Sequence, residues 1–278
     1  MRRTGRPPGG PNTNLVVGIV IIGLMALVTL VSFIYTPHDV NQMHREHRFE
    51  RPSARFLLGT DNFGRDIFSR LMHGGRTAFF VGTVAVAIGM VAGTLIGGMA
   101  GYLGSWVDEL FMRVMDGLLA FPGLIMALMV IAIAGPGTFN TALAIGVMSV
   151  PGIARIARSG FLQYKNIDFV QSARTVGVRP AAIMARHILP NVVSPLVIAG
   201  SVAFAGAILS EAGLSYLGLG VQLPTPSWGR MLREAQGYFT RTPWFTLGPG
   251  LAITLMVLGF YMLSNGIRDA IDVREPHL

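Results

Sequence analysis

Six long runs almost free of charge constrain this chain more than any other feature. The first, Leu15 to Tyr35, holds no Asp, Glu, Lys or Arg. A helix of roughly 20 residues crosses a hydrocarbon core of about 30 Å. In lipid every backbone N–H and C=O must find a partner within the segment, so such runs are read as helices. The other five are placed at about Thr77 to Tyr102, Gly117 to Ala134, Phe139 to Ala157, Val192 to Leu214 and Leu247 to Ile267. Across 278 residues 51% are apolar and 13% charged, which excludes a soluble domain and predicts an all-α membrane protein with six transmembrane helices.

The ends and loops follow from those spans. Residues 1–14, rich in Pro, Gly and Arg, read as a disordered cytoplasmic tail, and 15–35 as an uncleaved first span. A secretory signal would have a shorter apolar part and a small-residue cleavage site, whereas this run ends Ile34-Tyr35-Thr36-Pro37. Residues 36–76 form an extracytoplasmic loop. In it Thr60 or Asp61 is expected to cap an interfacial helix bearing Phe63, Ile67 and Leu71 on one face, with Asp66 and Arg70 paired. Residues 77–267 are the core domain of five spans, with a polar loop at 158–191, and 268–278 form a second cytoplasmic tail. Within the second span Gly89, Gly93, Gly97 and Gly101 recur every fourth residue, a stripe that admits a neighbouring backbone.

Both termini of this multi-pass protein are expected in the cytoplasm. The first tail carries arginines and no acid, and the loop from Arg155 to Arg186 is strongly basic. The arginines of residues 36–77 run against that orientation. The formal charge of +8 comes almost wholly from arginine, Lys165 being the single lysine, and is assigned to loops held against anionic membrane lipid rather than to nucleic acid.

Much chemistry is excluded. There is no cysteine, hence no disulfide, iron–sulfur or thiolate zinc site. No phosphate-binding G-x-x-x-x-G-K-[ST], no H-E-x-x-H and no G-x-S-x-G occurs, and no carboxylate pair lies within a span. His73 and His187 stand alone and are read as surface or interface residues. No catalytic residue, metal site or cofactor is expected, and the chain is not read as an enzyme. Glu211, near the far end of the fifth span, is either a passage or gate residue or a group facing the headgroups.

The polar segment Asp168 to Asn191 is where energy could enter. It reads as two short helices: Asp168 as N-cap with Gln171 three residues on, Gly177 at C′, Pro180 at N1 of the second, and Pro190 ending it. Small Ser172 and Ala173 would let the first helix sit deep in a partner's groove. Mid-membrane ionisable groups of the kind that ion-coupled carriers use are missing, so the work must come from a docked partner.

Gln171-Ser172-Ala173, Gly177 and Leu189-Pro190 resemble the EAA loop of ABC-importer permeases, with Gln171 where Glu is usual, Ser172 for the first Ala and His187 where an Ile is usual. The run Arg186 to Asn191 (RHILPN) resembles the peptide and nickel branch. LGTDNFGRDIFSR, Leu58 to Arg70, resembles the signature of that branch's C-type dipeptide or oligopeptide permease subunit, and EAGLSYLGLG, Glu211 to Gly220, a third signature. The resemblance implies the type I ABC-importer permease fold, with the coupling loop between spans four and five. It also implies a homologous B-type permease, two cytoplasmic ATPase subunits or domains where ATP is hydrolysed, an extracytoplasmic substrate-binding protein, and a peptide substrate. By the same resemblance Asp168, Gln171, Ser172, Ala173 and Gly177 couple to the ATPase, while Pro180, Arg186, His187, Leu189, Pro190 and Asn191 shape the loop. Nickel chelates, glutathione or other small conjugates are alternative cargoes. Readings of another class are a stand-alone ion-coupled secondary carrier and a membrane-anchored helix-turn-helix DNA binder. The absent mid-membrane carboxylates oppose the first. Tethering of the loop by two spans opposes the second.

Overall fold

The computed structural model describes residues 12–272, whose α-helices run in the order α1 (Thr13–Ser32), α2 (Ile67–Leu103), α3 (Ser105–Leu119), α4 (Gly123–Ala134), α5 (Thr138–Tyr164), α6 (Asp168–Thr175), α7 (Pro180–Ala182), α8 (Leu189–Leu217), α9 (Trp228–Ala235) and α10 (Pro243–Asp272). The reading of residues 1–11 as a disordered tail, and of 273–278 as part of the second tail, lies outside the described residues. α1, α2, α5, the continuous stretch Pro180–Leu217 and α10 are each long and apolar enough to cross a bilayer. α3 and α4 are apolar enough to cross only as a pair and are bent by 93° at their junction, so the described residues hold five helices that can each cross alone and six spans if this pair is counted as one.

Two expectations change here. The helix expected from Gly117 to Ala134 is interrupted, because Pro122 has no N–H with which to continue the α3 ladder and turns the chain at Ala120–Pro122 before α4 begins. The charged residues before it belong to helix α3, where Asp108 accepts from Arg158 Nη2 at 2.6 Å and Asp116 from Arg155 Nη2 at 2.6 Å, both arginines on α5. The separate interfacial helix before Thr77 does not form either. α2 starts at Ile67 and runs unbroken for 37 residues, capped by the Asp66 carboxylate, which accepts from the backbone N–H of Phe68 and Ser69. Asp66 is therefore occupied as a cap, and Arg70 turns instead to Asp61 and Glu234.

The glycine stripe of α2 is the seam with α5. A Cβ on Gly93 would come 2.8 Å from Ile153 Cβ, one on Gly101 2.7 Å from the Arg158 carbonyl, and one on Gly97 would run into the carbonyl of Ala154. α1 lies antiparallel to α10: Asn12 Nδ2 donates to the Gly266 carbonyl at 2.6 Å, and Gly18 abuts the backbone at Leu263. Ser264 of α10 in turn reaches the Ile198 carbonyl of α8. The start of α1, the end of α10, the start of α8 and α6 thus share one end of the bundle.

The opposite end is closed by residues 36–66 folded onto α9. Trp228 Nε1 donates to the Leu71 carbonyl at 2.9 Å, and Trp228, Ile67, Met231, Phe245 and Ile208 fill an apolar core there. Above it Asp61, Arg65, Arg70 and Glu234 make a buried ionic cluster, with Arg65 Nη2 2.7 Å and Arg70 Nη1 2.9 Å from the same Glu234 oxygen.

Candidate coupling site

The polar segment between α5 and α8 folds as a short helix fixed by its apolar face. Val170 and Ala173 are buried, and they join Ile153, Ala157 and Phe161 of α5 with Ile188 just before α8 and Val192 and Leu196 at its start in one cluster. Close approach of the two long helices makes this possible: a Cβ on Gly160 of α5 would press into Val192 of α8. The other face of α6, with Asp168, Phe169, Gln171, Ser172 and Thr175, is exposed, as is Val176 just beyond it at 79%. Ala173 therefore faces its own subunit. Its small side chain serves the approach of α6 to α5 and α8 rather than the outer surface.

The turn after α6 matches the sequence closely. Gly177 has φ +79°, its N–H donates to the Arg174 carbonyl at 3.0 Å, and the N–H of Val178 donates to Ala173 at 3.0 Å. That pair of bonds is a Schellman motif, with glycine supplying the left-handed residue at C′. Arg174 is set over the Tyr102 ring of α2, 5.1 Å from its centroid.

The two ends of the segment differ from expectation. Ile167 is the N-cap and makes no side-chain cap bond, so Asp168 sits in the first turn, where its charge complements the helix dipole, and no capping box with Gln171 forms. Pro180 does open the second helix, at N1 after Arg179. Pro190, however, does not end it. The chain widens into a π-helical turn at Ile183–Ile188, in which the N–H of Leu189 donates to the carbonyl of Met184, and passes through Leu189 and Pro190 directly into α8. The wide turn reassigns the hydrogen bonds around a residue that has no N–H to give, so the helix axis survives the proline. Arg186 is exposed on this turn. His187 is half-buried with Nδ1 unpartnered, and Asn191 Nδ2 donates to its carbonyl at 2.7 Å.

Glu211 stands apart from all of these. It is buried near the other end of α8, where Ser215 Oγ donates to its carboxylate at 2.7 Å while accepting from the N–H of Val221 at 3.1 Å. It thereby ties α8 to the loop ahead of α9. A cavity of about 780 Å³ opens instead between α5 and the first half of α8, with a mainly apolar lining that includes Met148, Ile153, Ile156 and Ile198 beside Ser149 and Ser194, and with Arg268 of α10 at its edge. Glu211 is not part of its lining.

The sequence missed the cluster of Asp61, Arg65, Arg70 and Glu234. The charges within LGTDNFGRDIFSR were the available signal for the first three, since a run this rich in both signs and glycine at a span's entrance needs partners. Glu234, 164 residues beyond Arg70, carried none.

Residues 93–275 match the family of binding-protein-dependent transport system inner membrane components. The chain belongs to that family. This permease is 38% identical to the dipeptide transport system permease protein DppC of Alkalihalophilus pseudofirmus over 94% of its own length and 86% of the relative's. It is 39% identical to the di/tripeptide transport system permease protein DppC of Pseudomonas aeruginosa, covering 94% and 88%. The glutathione transport system permease protein GsiD of Pectobacterium atrosepticum is 40% identical, covering 92% and 85%. The permease is thus a multi-pass inner-membrane component of an ABC importer, built on the all-helical type I permease fold.

Proposed function

We propose that this permease carries dipeptides or short oligopeptides. It forms the passage with a homologous B-type permease, receives cargo from an extracytoplasmic binding protein and is driven by two cytoplasmic ATPase subunits or domains. ATP hydrolysis belongs to those subunits. Likeness to two peptide permeases over 94% of the chain supports the cargo. The orientation follows from the docking role of α6, which places α6 and both termini in the cytoplasm.

Coupling runs through α6. Its exposed face, with Asp168, Gln171 and Ser172, meets the ATPase, while Val170 and Ala173 bind it to α5 and α8, so displacement of α6 carries both long helices with it. Gly177 sets the angle at which α6 is held, and Pro180, Arg186, His187, Leu189, Pro190 and Asn191 shape its return. The cavity between α5 and α8 is this subunit's wall of the passage. A lining that is mostly apolar, with Met148, Ile153, Ile156 and Ile198 around Ser149 and Ser194, makes few hydrogen bonds to cargo and so lets varied peptides go. Glu211 acts as a clasp at the other end of α8.

The observation that carries the coupling role is the burial of Val170 and Ala173 beside an exposed Gln171 and Ser172 on one short helix. The test is ATP-dependent uptake of a labelled dipeptide by the assembled transporter in proteoliposomes. Gly177→Pro, which cannot adopt φ +79°, should abolish uptake while leaving α1–α5 assembled. Unchanged uptake would refute the docking role. A second reading, glutathione as cargo, is favoured by the 40% identity to GsiD and is decided in the same assay by competition with unlabelled glutathione.

A further inference from the structure

We propose that the junction of α1 and α2 is a phospholipid site, with an acyl chain in the groove between the helices and a phosphoethanolamine headgroup held by Arg76 and Asp39. The proposal is independent of the cargo.

Two hollows meet at this junction. The first, of about 450 Å³, is lined by apolar groups, among them Ala26, Leu30, Phe79, Phe80 and Val84. The second, of about 340 Å³, is polar and includes Thr36, Asp39, Asn41 and His73. Phe33 and Arg76 line both. An apolar trough that continues into a polar cup across one guanidinium has the shape of an amphiphile. Phe33, Ile34 and Tyr35, all exposed directly after α1 ends, mark this level as the bilayer interface, where aromatic and tyrosyl side chains settle.

The charges select the headgroup. Arg76 is held in place by Ser32, donating from Nε to Oγ at 2.7 Å and from Nη2 to the carbonyl, and its guanidinium lies 4.2 Å from the Phe33 ring centroid. A guanidinium has five N–H groups, and Nη1 has no partner among the described residues, so a fixed donor pair faces the junction, as a phosphate requires. Asp39, exposed in the polar cup, accepts the N–H of Asn41 at 2.8 Å with one oxygen, and its other oxygen has no partner among the described residues. A cation and an anion on one cup match a zwitterion: phosphate on Arg76, ammonium on Asp39. A phosphoglycerol headgroup offers the carboxylate neutral hydroxyls and no positive charge, hence the weaker bond.

The experiment uses the full chain in its assembled complex, released from bilayers of equal phosphatidylethanolamine and phosphatidylglycerol, with retained lipid weighed by native mass spectrometry. Retention of phosphatidylethanolamine should exceed that of phosphatidylglycerol by roughly tenfold, the ratio one charge-assisted hydrogen bond supports. Asp39→Asn, which keeps the turn onto Asn41, should erase the preference without abolishing binding. Ala26→Phe, or Thr83→Phe if the first does not fold, should fill the groove and lose both lipids. Equal retention of the two lipids by the native chain overturns the proposal, as does an unchanged preference in Asp39→Asn. Since the chain has no cysteine, a single Thr83→Cys reports on the third possibility: a cross-link from it to the paired permease would show that protein fills the groove, and would overturn the lipid site.

Discussion

Arg70 and Glu234 lie 164 residues apart in the chain and meet at 2.9 Å, Nη1 to Oε2. Arg70 stands in the first turn of α2, Glu234 on α9, and both are largely closed to solvent, with side chains 1% and 15% exposed. Arg65 reaches the same carboxylate oxygen, and Asp61 completes the cluster. Arg230 Nε lies 3.4 Å from the other Glu234 oxygen, so three cations surround two anions, and the end of the bundle opposite α6 is locked by charge as well as by the packing of Trp228.

Removing one member leaves an uncompensated buried charge. Glu234→Ala should therefore destabilise the protein by about 3–5 kcal/mol, the usual cost of breaking a buried pair. Glu109→Ala is the control, because its partner Arg113 and Glu109 itself are 77% and 65% exposed and such pairs contribute little. Thermal unfolding in detergent should show a large loss for the first and nearly none for the second.

The same cluster should make stability depend on acid. Burial pushes the Glu234 carboxyl upward, but the charge and hydrogen bond of Arg70, with Arg65 and Arg230, outweigh it and hold the group below its ordinary value of 4.5. A carboxylate depressed in the folded state gives its full stabilisation above about pH 4.5 and loses it as pH falls through the lower folded value. Melting temperature should fall through that acid range, and Glu234→Gln should flatten this part of the profile.

On the α2–α5 seam, Gly97→Val should be severely disruptive, since even its first carbon would strike the Ala154 carbonyl and backbone cannot yield as a side-chain tip can. A loss of about 1–3 kcal/mol or more is expected from forced overpacking. Gly23→Ala on α1, where nothing lies within 4 Å of the added carbon, should be neutral. Thermal unfolding of the two variants separates seam from surface.

Gly177→Ala should weaken the turn after α6 by roughly 1–2 kcal/mol, the cost of a left-handed conformation for a residue with a Cβ, while Gly177→Asn should cost less. No clash contributes, because the position is open to solvent. Hydrogen exchange at the amides of α6 should rise in the alanine variant first, before any change in global stability.

How much of this was legible depended on the distance over which each signal acts. Gly177 was readable as a C′ glycine and Pro180 as a first helical residue, because both signals act over a few residues of local backbone. The stripe from Gly89 to Gly101 was readable as a packing face, though its partner α5 was not. Pro190 was misread because its local effect, ending a helix, is overridden by a π turn that only the packing of Ile183 and Ile188 reveals. Asp66 and Arg70 were misread as partners because i, i+4 spacing assumes a helix that begins earlier than Ile67.

Among the long helices, α5, α8 and α10 each carry an internal proline, Pro151, Pro195 and Pro249, whereas α2 carries none. At 37 residues it is about 55 Å long at 1.5 Å per residue, longer than the hydrocarbon it crosses. One end is pinned in the cluster around Glu234 and the other is seamed to α5 above α6. It is a jointless beam: a tilt of about 5° imposed at the α6 end sweeps the far end through about 5 Å by simple trigonometry on that length. The opposite face of the membrane then moves in the same instant, with no relay of side chains between them.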